Sequence, residues 1–191
     1  MANTDAAFGL LPVRHLTGAP WDGRTNPYKI ASGYGTALLP GDPVKMVAGG
    51  TIERATATGL ILGVFMGCQY TSVANAGIVG KDKPYWPAST VAADAIGHVA
   101  DAPDLIFQVQ ADDDSGTIAA TDVGANADIL AAAGSTVTYT SGFELDTNTI
   151  AASAANLRIL GLAALPNNEW GDFAVVEVLI NEHFYKSTTG I

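Results

Sequence analysis

Three histidines, one cysteine and a run of aspartates are the residues here with the most chemistry to offer. His15, His98 and His183 stand far apart in sequence, and none belongs to an H-E-x-x-H or H-x-H pair of the kind that holds zinc. Cys68 is the only cysteine, so an intrachain disulfide and a cysteine-based zinc cluster are both excluded. It reads as a small buried hydrophobe. Asp112-Asp113-Asp114, followed by Ser115-Gly116, has carboxylates suited to a hard cation in a loop. The alternating carboxylate spacing and distal Glu of a calcium loop are absent, so this run reads as a solvated turn. No G-x-S-x-G elbow occurs, and Gly33-Tyr34-Gly35 lacks the third glycine of a dinucleotide fingerprint. The sequence predicts a non-enzymatic protein with no cofactor and no metal.

Charge narrows the partners. Nine Lys and Arg stand against 19 Asp and Glu, a formal net charge of -10, and the sequence pI is near 4.4. An acidic surface repels a polyphosphate before any base contact forms, which argues against nucleic acid as a partner. The imbalance is local, because residues 84–157 contain no Lys or Arg and ten acidic side chains. A chain so polarised can orient on a larger assembly, with its acidic middle turned to water and its near-neutral ends available for docking.

The elements that must carry these residues are strands. Only 15% of the chain is charged, while 21 Gly and 9 Pro are spread throughout, a composition of short strands and turns. Period-two alternation marks Tyr28–Ser32, Val44–Val47, Thr51–Ala55, Ile96–Asp101, Leu105–Gln110, Ser135–Thr140, Leu157–Leu162 and Ala174–Ile180, the last as the longest strand. Leu60–Cys68 is the most apolar run, too short to cross a bilayer. It predicts a central strand, with Leu60, Leu62, Val64, Met66 and Cys68 on one face and Ile61 and Phe65 on the other. The turn Asp101-Ala102-Pro103-Asp104 suggests a hairpin between its flanking strands. Ile61-Leu62-Gly63-Val64 and Ile159-Leu160-Gly161-Leu162 form a four-residue echo. Only 122–133, with its alanines and Ile129-Leu130 ahead of Gly134, reads as helical. The fold class is all-β, an antiparallel barrel or sandwich with a short helical segment and an extended N-terminal arm.

That arm spans 1–27, ahead of a single β-rich domain over 28–191. It opens MANTDAAF, without the basic start and apolar run of a signal peptide. Pro12, Pro20 and Pro27 with Gly9, Gly18 and Gly23 break any long element there. Phe8, Leu10, Leu11, Val13, Leu16 and Trp21 are apolar, and Arg14 and Arg24 add positive charge. These eight are the candidate interface residues of an arm that orders against a neighbouring subunit. The competing reading makes Phe8–Val13 a strand of the body.

Gly41-Asp42-Pro43-Val44, Gly50-Thr51-Ile52 and Ile61-Leu62-Gly63-Val64-Phe65 resemble blocks of the small capsid decoration, or cement, proteins of tailed bacteriophages. The blocks 107–112, 142–146, 157–161 and 180–183 are similar to later parts of the same proteins. The likeness covers nearly the whole chain, through turn-and-strand signatures rather than chemical motifs. It implies a β body on the outer capsid surface of the virion, made in the host cytoplasm and seated where capsid subunits meet. Its implied partners are the major capsid protein and further copies of itself, commonly as a trimer, with no nucleic acid and no membrane. Two alternatives stand beside it. One is a glycan-binding virion module with an exposed aromatic beside a pocket, for which Trp21, Trp86 and Trp170 are the candidates. The other is a major shell or tail-tube subunit.

Overall fold

The computed structural model describes residues 3–71, 79–114, 116–188 and 190–191. Strands account for 38% of it and helix for 5%, so the all-β class holds. Six strands form the first sheet: β2 (Asn26–Ile30), β3 (Pro43–Val47), β4 (Thr51–Arg54), β5 (Gly63–Thr71), β6 (Val79–Lys83) and β7 (Ile96–Ala100). Their order is β3-β4-β2-β7-β5-β6, and an extra β3–β5 pairing closes five of them into a small barrel. All pairings are antiparallel except β2–β4. The second sheet comprises β1 (Leu11–His15), β8 (Leu105–Gln110), β9 (Asn126–Ala127), β12 (Leu157–Leu162) and β13 (Val175–Ile180), in the order β1-β8-β13-β12-β9. A two-stranded ribbon, β10 (Ile129–Leu130) with β11 (Glu144–Leu145), completes the set.

Two apolar cores follow from this arrangement. Inside the barrel, Trp86 and Phe65 are fully buried among Leu38, Ile52, Leu62 and Val99, and Tyr70 meets Trp86 edge to face at 5.2 Å. Against the second sheet, Leu105, Phe107, Val109, Val176 and Val178 pack with Phe143 and Leu145. The alternation read in β8 is therefore real, with Leu105, Phe107 and Val109 facing one core. Strand β5 is a central strand, as expected, and it serves both cores: Val64 enters one and Phe65 the other. Ala100 and Val99 of β7 divide in the same way.

Several details differ from the sequence reading. The faces of residues 60–68 do not divide as read: Ile61 enters the core of Val64 and Leu62 that of Phe65, and beyond the register shift between Phe65 and Gly67 Cys68 also turns into the core of Phe65. At nine residues β5, not the C-terminal strand, is the longest described. The turn after Asp101 forms, with Leu105 N–H donating to Ala102 O at 3.1 Å. Its flanking strands part into different sheets instead of pairing as a hairpin. The four-residue echo likewise falls in different sheets.

No helix forms over 122–133. A three-residue 3-10 turn at Ala120–Asp122 is followed by β9 and β10. Long-range partners override the helix propensity of alanine there. Asn156 N–H donates to the Asp128 carboxylate at 3.2 Å, and Asn126 Nδ2 donates to Ser153 O at 2.8 Å. Ser135–Thr140 is not a strand either. Its two ends bridge each other and close a turn.

At the N-terminus the chain runs extended along its own body before β1 pairs with β8. The buried amide of Gln110 holds it, accepting from Ala6 N–H at 2.8 Å and donating to Thr4 O at 2.9 Å. Asn3 Nδ2 donates to Glu169 O and Asp172 O. Gly9 then crosses Gly41 so closely that Leu10 N–H reaches Gly41 O at 2.9 Å.

A joint between barrel and second sheet forms where the Gly41–Val44 turn meets residues 141–143. The Asp42 carboxylate, 1% exposed, accepts from Leu39 N–H at 2.9 Å and lies 3.6 Å from Arg54 Nε. Arg54 also donates to Ala132 O and sits over the Phe143 ring, 4.4 Å from its centroid. Burial pushes the Asp42 carboxyl upward, opposed by the Ser141 hydroxyl, the Leu39 amide and Arg54.

Candidate functional site

Strand β1 ends at His15, and the chain at once folds back along its outer edge. His15 N–H donates to Ala19 O at 2.8 Å and Trp21 N–H to Val13 O at 3.0 Å, which satisfies backbone groups an edge strand would otherwise expose. This return sets the Trp21 indole, half-buried, against the core of the second sheet. The loop that follows is pinned by two bonds. Trp21 Nε1 donates to Arg24 O at 3.2 Å, and Arg24 N–H donates to Asp22 Oδ1 at 3.2 Å.

Trp21 and Thr25 separate two clefts. One, of about 360 Å³, adds His15, Arg24, Asn26 and Asp101. The other, of about 500 Å³, adds Met66, Cys68, Lys83 and His98. Asp101 anchors the first from below. Its carboxylate is 7% exposed and accepts from Asn26 Nδ2 at 2.9 and 3.1 Å and from the Tyr28 hydroxyl. Tyr28 in turn lies 2.6 Å from the Tyr185 hydroxyl. Burial, reinforced by the bond to Asp101, drives the Tyr28 pKa upward, so the phenol remains a donor.

Two of the three histidines, isolated in sequence, line these clefts. His15 Nδ1 lies 3.1 Å from Asp104 Oδ1 at the rim of the first cleft, and His98 lines the second. His183 sits behind them, 1% exposed, with Nδ1 accepting from Tyr185 N–H at 3.1 Å. Burial, with Lys186 nearby, depresses its pKa to about 4, which keeps it neutral. Cys68 is buried as expected. That burial pushes its thiol up to about 12, outweighing the charge of Lys83.

No family model, curated protein or solved structure matches this chain. Among the described residues, no group of three or more His, Cys, Asp or Glu is arranged to hold a metal ion. None of the helices there is long and apolar enough to cross a membrane. What the cleft offers is an indole of fixed orientation ringed by donors and acceptors, which is the chemistry of binding.

The structure separates the eight N-terminal candidates. Leu10 is fully buried in the core of its own chain, and so cannot belong to an interface. Phe8 and Val13 are half-buried. Arg14 reaches across β8 to Glu177, 2.6 Å away. Leu11 and Leu16 are exposed, Trp21 forms the cleft wall, and the Arg24 side chain is 90% exposed beside Asp22. Of the other tryptophans, Trp86 is barrel core and Trp170 packs partly against the second core.

Sequence reasoning missed a second surface. The turn Ser135–Thr140 projects Val137, 86% exposed, and holds Tyr139 at φ +57 with its ring stacked on Tyr85 at 5.1 Å. A left-handed tyrosine costs roughly 1–3 kcal/mol and persists only where its surroundings hold it. Alternating Thr with Val137 and Tyr139 gave a strand signal, which hid the turn.

The acidic run also behaves differently from a solvated turn. Asp113 and Asp114 are exposed, but Asp112 is 3% exposed, and its Oδ1 accepts from both the backbone N–H, at 3.0 Å, and the hydroxyl of Thr147. Ser115 lies outside the described residues. Glu144 joins this cluster from β11, and its pKa is pushed up to about 7 by burial and by Asp5, Asp112, Asp113 and Asp114. The folded state therefore holds a proton on Glu144 that the unfolded chain releases near 4.5. Stability from this group is complete below that value and is lost as pH rises through about 7. His183 works in the opposite sense, losing stability as pH falls from 6.5 towards 4. Comparison of Glu144→Gln with its parent at each pH cancels the histidine. The variant should melt higher above about pH 7, and its advantage should vanish towards about pH 4.5. Equal melting temperatures at about pH 8 would show that the carboxylate is solvated after all.

Proposed function

We propose that this chain is a non-enzymatic structural protein of a tailed-phage virion, binding the outer capsid surface at joints between capsid subunits and bracing them. The observation that carries this reading is where the decoration-protein blocks fall in space. Asp42 of the Gly41–Val44 block, Phe65 of the Ile61–Phe65 block and Phe143 of the block 142–146 meet at one joint: Phe65 N–H donates to Asp42 O at 2.9 Å, and Arg54 links Asp42 to Phe143. The likeness thus lies in residues that hold the barrel to the second sheet, which supports the reading of a protein that braces its neighbours. A protein that touches several subunits at once makes their separation cost all its contacts together. The major capsid protein and further copies of this chain, commonly three, are the partners in this reading.

The projecting turn is the docking element. Val137 and the Tyr139–Tyr85 stack present apolar and aromatic surface on a strained loop, whereas Asp113 and Asp114 belong to an acidic surface that favours water. Val137→Asp should weaken co-sedimentation with undecorated capsids at least tenfold, about 1.4 kcal/mol, with little change in melting because the side chain is exposed. Asp113→Asn with Asp114→Asn should bind almost as the parent does. Undiminished binding by the Val137 variant would remove the turn from the interface.

A further inference from the structure

The geometry points to a saccharide-binding site at Trp21, independent of capsid attachment, and we propose that the two clefts flanking its indole take adjacent units of a neutral oligosaccharide. A pyranose ring has apolar C–H faces and a rim of hydroxyls, each able to donate and accept. Its recognition needs a flat aromatic surface together with polar groups of both kinds. Trp21 supplies the surface. Its backing is rigid, because the ring packs on the core of the second sheet and its Nε1 is tied to Arg24 O.

The polar groups are distributed around it. Asp101 contributes acceptor oxygens whose positions are fixed by Asn26 and Tyr28, while Thr25 offers a hydroxyl common to both clefts. Arg24 brings donors to the first cleft, and Lys83 with His98 brings polar groups to the second. Volumes of about 360 and 500 Å³ lie within the roughly 300–1,000 Å³ usual for small-molecule sites. Two clefts divided by one indole suit consecutive sugars rather than a single one.

Other ligand classes fit less well. An acidic peptide or a nucleotide would meet Asp22 and Asp101 with little cationic compensation, in a chain of formal charge -10. A purely apolar ligand would leave the Thr25 hydroxyl and the Lys83 and His98 side chains that line the clefts without use, and desolvating any of them unpaired is costly.

The experiment uses the full chain labelled with nitrogen-15, in which three tryptophans give three indole N–H signals. Maltotriose, cellotriose and N-acetylchitotriose are titrated separately to about 10 mM, enough to populate a site whose Kd is about 1 mM. At least one of them should move the Trp21 indole signal saturably while that of Trp86, fully buried in the barrel, stays in place. Trp21→Ala should weaken that binding more than tenfold. Arg24→Ala and Lys83→Ala alter exposed side chains, preserve folding if Trp21→Ala does not, and should each weaken it several-fold. Val137→Asp should leave it unchanged, which separates this site from the capsid reading. If none of the three sugars shifts the Trp21 signal, or if binding survives both Arg24→Ala and Lys83→Ala at full strength, the assignment is wrong.

Discussion

Replacing Arg54 by Met should destabilise the protein by about 3–5 kcal/mol, the usual cost of removing one partner from a buried ion pair. Met keeps much of the apolar stem but none of the charge. Asp42, 1% exposed, would then have no cation near it, the carbonyl of Ala132 would lose its donor, and the Phe143 ring would lose the guanidinium above it. Urea titration should show a lower midpoint with an unchanged slope. Because burial already raises the Asp42 pKa, the deficit should shrink as pH falls and the carboxyl takes up a proton. Asp42→Asn in the same background should restore part of the loss, since the amide oxygen can still accept from Leu39 N–H without a charge to bury. A deficit under about 1 kcal/mol would mean that desolvation already cancels the attraction between the two groups.

Gly9→Ala should be comparably severe, on the order of 3 kcal/mol or more. A Cβ at that position would lie 2.4 Å from Gly41 O and 2.5 Å from Ser141 Cβ, and the backbone there has φ +75. Gly41 is equally confined, with Phe8 O 2.6 Å from the place its own Cβ would take. The crossing therefore has no room on either side, and its hydrogen bond from Leu10 N–H cannot lengthen without lifting Leu10 from the core. The expected result is a large drop in melting temperature, accompanied by faster proteolysis ahead of β1. Melting within about 1 kcal/mol of the parent would show that the extended segment can shift aside. The same contact bears on the proposed arm. Deleting Met1–Leu11 removes Leu10 and this crossing, so loss of fold rather than simple loss of attachment is the expected outcome.

One face of β8 was legible in the sequence: Leu105, Phe107 and Val109 alternate into one core, because a face that covers a core must be apolar. The other face was not, since Ile106 and Gln110 are buried as well, Gln110 beneath the docked N-terminal segment. In residues 60–68 both faces are covered, so alternation carries no information about which core a side chain enters, and a bulge was free to reassign Cys68. The stretch 122–133 misled for a different reason. Alanine favours a helix locally, but pairing of Asn126 with Arg158 and of Ile129 with Leu145 is decided by residues far along the chain.

The cleft was less legible still. Trp21 and Arg24 stood out as apolar and basic residues of the N-terminal segment, but their neighbours Asp101, Lys83 and His98 come from two other parts of the chain. Only the fold brings them together. The acidic cluster was half visible: Asp112–Asp114 is a run in sequence, whereas Asp5 and Glu144 reach it through the docked N-terminal segment and β11. A one-dimensional charge count sees the run and not its burial, which is why Asp112 departs from its neighbours.

Strands β1 and β13 flank β8 and both run antiparallel to it, so they are parallel to each other. Tension that draws Leu11 and Ile180 apart along the strand axis would accordingly load the two ladders in shear. Their rungs would have to break together, not one after another as in a hairpin peeled from its end. The Arg14–Glu177 bridge spans all three strands and resists the same sliding. Forced extension is governed by the height of the unfolding barrier more than by equilibrium stability. This sheet is built to be stiff along one axis, whatever its thermal midpoint.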